Sequence, residues 1–463
     1  MPEKADAHPT KEFFVKMITK DIQLDACILD LLDNCLDGAN SVIANKNGQT
    51  ETRYEGFWAE ITISQNEFKI TDNCGGISIE EAKGYAFRFG RRPDAPPEAE
   101  YSIGLYGIGM KRAVFKMGKN IDIESSTSTE AFGVLINVDE WLGRTSDWDF
   151  DLEPKDALET PGTTIQINDL HEEIQSEFND PVFVNKLRSS IARDYSIFLQ
   201  NGFTVKVNDS RVVPYEFKLR ESDQFIPVKQ EYDDDSIHVE ITAGMAGLPS
   251  DDSSAESPEN SIPEVEYYGW FVLCNDRVVI AADKSSATVW GDEQFPVWHP
   301  QYNSFMGIAS FRSERADLLP WTTTKRDIDL NDATYRRAVR IMKEVTRQYI
   351  DYTTQRKADL EAAKALERNT RLVPIVDVTP SIRMVLPRLP RADVVNISYQ
   401  KPRQKVMKAA EALGNRAMPY KQVGSEAFDY FYERKVQSPK SPMGPQRKSS
   451  KLAVAAVTLA RDH

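Results

Sequence analysis

The chain is poor in cysteine and histidine, with four of the first and five of the second in 463 residues, and neither type clusters or forms a C-x-x-C pair. Neither a disulfide framework nor a zinc site is indicated, and reduced thiols are expected. No apolar run is long enough to cross a bilayer, and residues 1–11 are charged without a hydrophobic stretch. Neither secretion nor membrane insertion is therefore expected, and the cytoplasm is the default compartment. Surplus positive charge is also lacking. The net charge is −14, so most of the chain should repel nucleic acid. Residues 381–463 are the exception, with 16 Lys and Arg against 6 Asp and Glu, about +10. That region could bind DNA, RNA or a protein client, or the chain's own acidic surface. A solvated, partly disordered tail fits the same composition.

Three segments in the first quarter carry chemistry. The first is an expected helix over 24–43, where Ile28, Leu29, Leu31, Leu32 and Leu36 form the apolar side. Asp30, Asn34 and Asp37 fall at i, i+4 and i+7, on one polar stripe. An amide one turn after a carboxylate suits nucleotide hydrolysis. Asn34 can give a neutral oxygen to Mg²⁺, which keeps most of its waters, while Asp30 orients or deprotonates the attacking water. A solvated acidic helix face would show the same stripe.

The second segment follows the alternation of Ile61, Ile63, Phe68 and Ile70 and ends in Asp72-Asn73-Cys74-Gly75-Gly76-Ile77. An Asp at a strand end can accept from an adenine amine, and glycines let a flat base approach the backbone. A plain turn into a helix at Ile79, capped by Asp72 or Ser78, is the alternative. The third is Gly104-Leu105-Tyr106-Gly107-Ile108-Gly109-Met110-Lys111, a G-x-x-G-x-G entry to a helix. Amide groups at such a helix start can cradle phosphates. Residues 89–101, rich in Arg, Pro and Glu, read as a mobile lid.

Taken together, these segments resemble the GHKL ATPases, the superfamily of gyrase B subunits, ninety-kilodalton heat-shock chaperones, sensor histidine kinases and MutL mismatch-repair proteins. The resemblance spans residues 10–168 and implies an α+β fold with a GHKL-type α/β sandwich that binds ATP and Mg²⁺. It puts Asp30 in the place of the usual catalytic Glu, Asn34 at the metal, Asp72 at the adenine and Gly104, Gly107 and Gly109 at the phosphates. Gly76, Ile77, Tyr106, Ile108, Met110 and Lys111 are implied as further nucleotide contacts, and Thr163 of the 161–167 strand as a support of the adenine. Two residues depart from the pattern. Asp30 is one methylene shorter than Glu, and Cys74 occupies the first glycine position of the family's D-x-G-x-G box.

Residues 171–330 are expected to form a mixed α/β domain similar to the MutL- or MORC-like transducer, whose loop carries a Lys to the γ-phosphate; Lys325 takes that role by resemblance. The organisation expected beyond the ATP-binding domain at 1–170 and this second domain has four further parts. They are a long helix over 331–370, an extended Pro-rich linker over 371–402, a small helical module over 403–436 and a disordered basic tail over 437–463. The acidic, Ser-rich residues 249–264 read as a loop inside the second domain. The function implied is an ATPase acting as a conformational switch or as an ATP-dependent homodimeric clamp. A module that binds nucleotide without hydrolysing it is the alternative.

Overall fold

The computed structural model describes residues 9–44, 53–90, 100–104, 107–144, 147–249, 267–322, 324–387, 397–398 and 400–437. Tyr106, most of the expected lid (91–99), the acidic loop at 250–264 and the tail from 438 onward lie outside the described residues. The chain divides into two compact units, Met1–Ala392 and Asp393–His463.

The first unit opens with α1 (Lys11–Lys20), α2 (Leu24–Ala44), β1 (Trp58–Ile63), β2 (Glu67–Asp72), α3 (Ile79–Glu81), α4 (Gly109–Met117), β3 (Gly118–Ser126), β4 (Ala131–Asn137) and α5 (Val138–Gly143). It continues with β5 (Glu153–Lys155), β6 (Gly162–Leu170), α6 (Glu172–Phe178), α7 (Pro181–Asp194), α8 (Ser196–Gln200), β7 (Thr204–Val207) and β8 (Ser210–Arg211). The eight strands make one sheet in the order β5-β4-β3-β6-β2-β1-β7-β8, antiparallel except where β1 meets β7. This sheet runs past residue 170, where the sequence suggested a domain boundary. The reason is the outer edge of β1: β7 pairs with it and buries Val205 and Val207, so that edge does not stay open.

Helix α2 forms because Leu24, Ile28, Leu32, Leu36 and Ala39 recur every three or four residues, and all five are buried. Each buried Leu or Ile contributes about 1.5–3 kcal/mol by leaving water. The inward residues of β1 and β2, Ile61, Phe68 and Ile70, join the same core with Val114 and Phe115 of α4. The polar stripe of α2 is therefore fixed by what its apolar side must cover. At the sharp turn after β2, Ser78 caps α3 with a reciprocal Glu81 box.

The rest of the unit comprises β9 (Lys218–Glu221), β10 (Val228–Asp234), β11 (Ile237–Met245), β12 (Gly269–Cys274), β13 (Arg277–Asp283) and β14 (Phe305–Arg312), followed by α9 (Ala333–Arg356), α10 (Leu360–Arg368) and β15 (Arg371–Pro374). A second sheet runs β10-β11-β14-β12-β13, with α9 packed against β11 and β14. The single long helix expected over 331–370 is instead two. Asp359 caps α10 by accepting from the Ala362 amide at 3.1 Å, and α10 is turned so that Glu367 meets both Tyr352 Oη (2.6 Å) and Arg356 Nε (2.6 Å). A straight helix would leave that buried Arg356 without its carboxylate.

The expected linker also begins as structure. β15 pairs with β9, and Ser381 and Val385 bridge to Lys229 and Ile226, so the residues after α10 lie on the second sheet's surroundings. Taken by itself, the second unit contains α11 (Arg403–Ala412) and α12 (Tyr420–Tyr432), closed over Ala410, Met418 and Val423.

Candidate nucleotide site

Helix α2 meets each of the three sequence segments, with Asp30 beside Gly109, Asp37 at Gly104 and Cys35 at Asp72. On its polar stripe Asn34 is exposed, Asp37 is partly buried and Asp30 is 6% exposed. Asp37 holds the start of the glycine segment: its two carboxylate oxygens accept from the amides of Ile103 (2.7 Å) and Gly104 (2.6 Å). A methyl group on Gly104 would stand 2.7 Å from Asp37 Oδ2 and 3.9 Å from Asn34 Oδ1, which puts this backbone directly over the stripe. Gly107, at φ 61°, turns the chain into α4 in a conformation that side chains resist. Helix α4 then starts at Gly109 with no side-chain cap on its first amides, beside Asp30: a methyl on Gly109 would lie 3.5 Å from the Asp30 carboxyl carbon. Uncapped amides at a helix start favour an anion. Ile108 and Met110 are partly buried on either side of Gly109.

Asp72 closes the other end. Its Oδ1 accepts from the amides of Cys74 (2.8 Å) and Thr163 (3.3 Å), and its Oδ2 from the thiol of Cys35 (3.4 Å), the residue after Asn34 on α2. Burial raises the Asp72 carboxyl above its ordinary range, against the pull of these donors. Thr163 Oγ1 lies 2.8 Å from Ser125 Oγ, which accepts from the Ile77 amide at 2.8 Å. Gly76, at φ 68°, lets this turn lie against β3, since a methyl there would be 2.0 Å from the Ser126 carbonyl oxygen. Cys74 is buried, so its thiol turns into the core.

The lysines behave differently from each other. Lys111 gives the helix start only its backbone: its ammonium is buried and donates to the Ala86 carbonyl at 2.7 Å, and burial lowers its pKa to about 7. Lys325, at the left-handed φ 54°, reaches α2 from the second sheet's side and donates to Asp33 Oδ2 at 3.1 Å. Asp33 Oδ1 also accepts from Tyr195 Oη (2.7 Å) and Arg277 Nε (3.2 Å). Burial alone would raise the Asp33 pKa, but Lys325 and Arg277 bring it below the usual carboxylate value. The next residue in the loop, Arg326, pairs with Asp25 at 3.1 Å, so both loop cations bind α2.

Asp30 is paired with Arg112 of α4, whose Nε and Nη2 lie 2.7 and 2.6 Å from Asp30 Oδ2. Burial pushes the Asp30 carboxyl up, and Lys325 and Arg112 oppose it. The sequence reading missed Arg112, Asp33, Tyr195 and Arg277. One signal was present: Asp33 sits beside Leu29, Leu32 and Leu36, on the side of α2 that the apolar pattern sends inward, and a buried carboxylate there requires a cation.

Burial raises Asp37 to about 6, with Lys325 and the two amides pulling against it. Because the folded-state pKa lies above the ordinary one, this group's contribution to stability is full in acid and is lost as pH rises through about 6. The amide resonances of Ile103 and Gly104 should therefore titrate with a midpoint about 6; a midpoint below about 4 would mean the two amides and Lys325 outweigh burial.

An antiparallel sheet covered by helices, with a carboxylate-amide stripe, a buried Asp at a strand end and a glycine-led helix start around one helix, defines the class of ATP-binding sandwich domains. Residues 22–166 match the family described as histidine kinase-, DNA gyrase B- and HSP90-like ATPase. No curated protein matches the chain. Among the described residues no helix is long and apolar enough to cross a membrane.

Proposed function

We propose that the protein is an ATP- and Mg²⁺-dependent ATPase that works as a nucleotide-driven conformational switch or dimerising clamp in the cytoplasm. One observation carries this reading: α2 touches all three sequence segments, through Asp30 at Gly109, Asp37 at Gly104 and Cys35 at Asp72. Asp72 would accept from the adenine amine with Thr163 supporting it, and the amides from Gly107 to Lys111 would take the phosphates. Asn34, exposed beside Gly104 with a neutral oxygen, suits a cation that keeps its waters. Mg²⁺, when bound, would neutralise charge on the β- and γ-phosphates. Asp30 would take the proton of the attacking water, and Lys325, moving off Asp33, would stabilise the terminal phosphate.

Lys325 ties the reading to motion. Its loop leaves the second sheet, so a shift of its ammonium from Asp33 to a γ-phosphate would change how that sheet sits on α2. The basic residues of 381–463 would then meet a DNA, RNA or protein client. The alternative, a module that binds without hydrolysing, draws support from the short Asp30 and its ion pair with Arg112.

ATP with Mg²⁺ at a hundredfold excess over Kd should stabilise the fold by about 2.7 kcal/mol, and Asp72→Asn should remove most of that gain. No thermal shift at saturating nucleotide overturns both readings. A shift without phosphate release favours the alternative.

A further inference from the structure

We propose that Arg112 is the positioning residue of Asp30: it compensates for the short acid by gripping one carboxylate oxygen and presenting the other to the attacking water. The inference rests on the hydrolytic reading above. Both guanidinium nitrogens that reach Asp30 converge on Oδ2, at 2.7 and 2.6 Å, rather than one on each oxygen. Among the described residues Oδ1 carries no hydrogen bond of its own, so the grip fixes the carboxyl plane and leaves Oδ1 for a water. Both partners are buried, where such a pair is far more rigid than on a surface.

The placement of Arg112 in the chain adds a second argument. It lies one turn into α4, and its amide donates to the Ile108 carbonyl at 3.0 Å. The first turn of α4 therefore supplies the phosphate-facing amides at Gly109 and Met110 as well as the side chain that sets the base. A phosphate seated on that turn and a water aligned by Asp30 share one rigid frame, which is what an in-line attack requires.

The step is simple to balance. The water oxygen bonds to the γ-phosphorus, the bond from that phosphorus to the β–γ bridging oxygen breaks, and ADP leaves with the electron pair. The water's proton passes to Asp30 Oδ1 and then to solvent. For this Asp30 must be ionised, and burial acts against that. The groups that bear on its charge are Arg112 from α4, Lys325 from the loop after β14, and Asp33 and Cys27 from α2 itself.

The test is the pH profile of kcat in the full chain. Arg112→Gln should lower kcat by about tenfold or more, keep KM for ATP within about threefold, and move the acidic limb up by about one pH unit. Arg112→Lys keeps the charge but loses the two-nitrogen grip, so its limb should stay in place while kcat falls about fivefold. If Arg112→Gln does not fold, the lysine variant decides. A kcat equal to wild type in Arg112→Lys, or a rate loss in Arg112→Gln with no movement of the limb, overturns the positioning role. Wild-type protein that binds ATP but never releases phosphate overturns the hydrolytic reading instead, so the two failures are told apart.

Discussion

Asp30→Asn is expected to lower ATP turnover by about a hundredfold or more while nucleotide affinity changes by less than about threefold. The amide keeps an oxygen for Arg112 but cannot take a proton from water. Alanine is the poorer choice. It would leave the buried Arg112 guanidinium unpaired, at a cost of about 3–5 kcal/mol, and lost turnover would then be mixed with lost fold. Single-turnover phosphate release alongside a binding isotherm separates the two quantities. An Asp30→Asn protein that hydrolyses at the wild-type rate would remove Asp30 from the chemistry.

Asp33→Ala should destabilise the first unit by about 3–5 kcal/mol. Three donors lose a carboxylate acceptor together, Tyr195 Oη, Arg277 Nε and Lys325 Nζ, all within 3.2 Å of the Asp33 carboxylate, and of these Tyr195 keeps the Leu29 carbonyl at 2.9 Å. Arg277 keeps Asp194 at 3.6 Å, a longer and weaker contact. Because these groups come from α7's end, β13 and the loop after β14, the same substitution should also loosen the grip of the second sheet on α2. Denaturant unfolding reads the loss directly, as a lower midpoint. A loss below about 1 kcal/mol would mean the charges find water or other partners when Asp33 is removed.

Much of the first domain was legible because local rules and tertiary needs agree there. The α2 pattern, the β1–β2 alternation and the glycine-led start of α4 each follow from periodicity or backbone freedom, and the structure keeps them within a residue or two. Ser78, named as a possible cap, is the cap. What local rules cannot carry is a partner far along the chain. Asp33 meets Lys325 and Arg277 across 292 and 244 residues, and no spacing in the sequence announces those contacts. The helix over 331–370 failed for the same reason: its break at 357–359 exists to bring Glu367 back to Arg356. β7 falls in the stretch expected as the second domain, and its place on the free edge of β1 depends on sheet order, which alternation does not encode.

On the proposed reading, the two cations near the stripe would let Asp30 serve with a shorter side chain. Arg112 stands on α4, whose first amides would meet the phosphates, and Lys325 arrives on a loop from the second sheet. In that reading one would set the base and the other would move.

The most direct test is a crystal structure of the Asp30→Asn protein with ATP and Mg²⁺. The account predicts one nucleotide with its adenine amine on Asp72, its phosphates on the amides around Gly107 and Gly109, Asn34 at the metal and the Lys325 ammonium transferred from Asp33 to the γ-phosphate. Nucleotide bound away from α2, or Asn34 and Asp72 facing different regions, would contradict it.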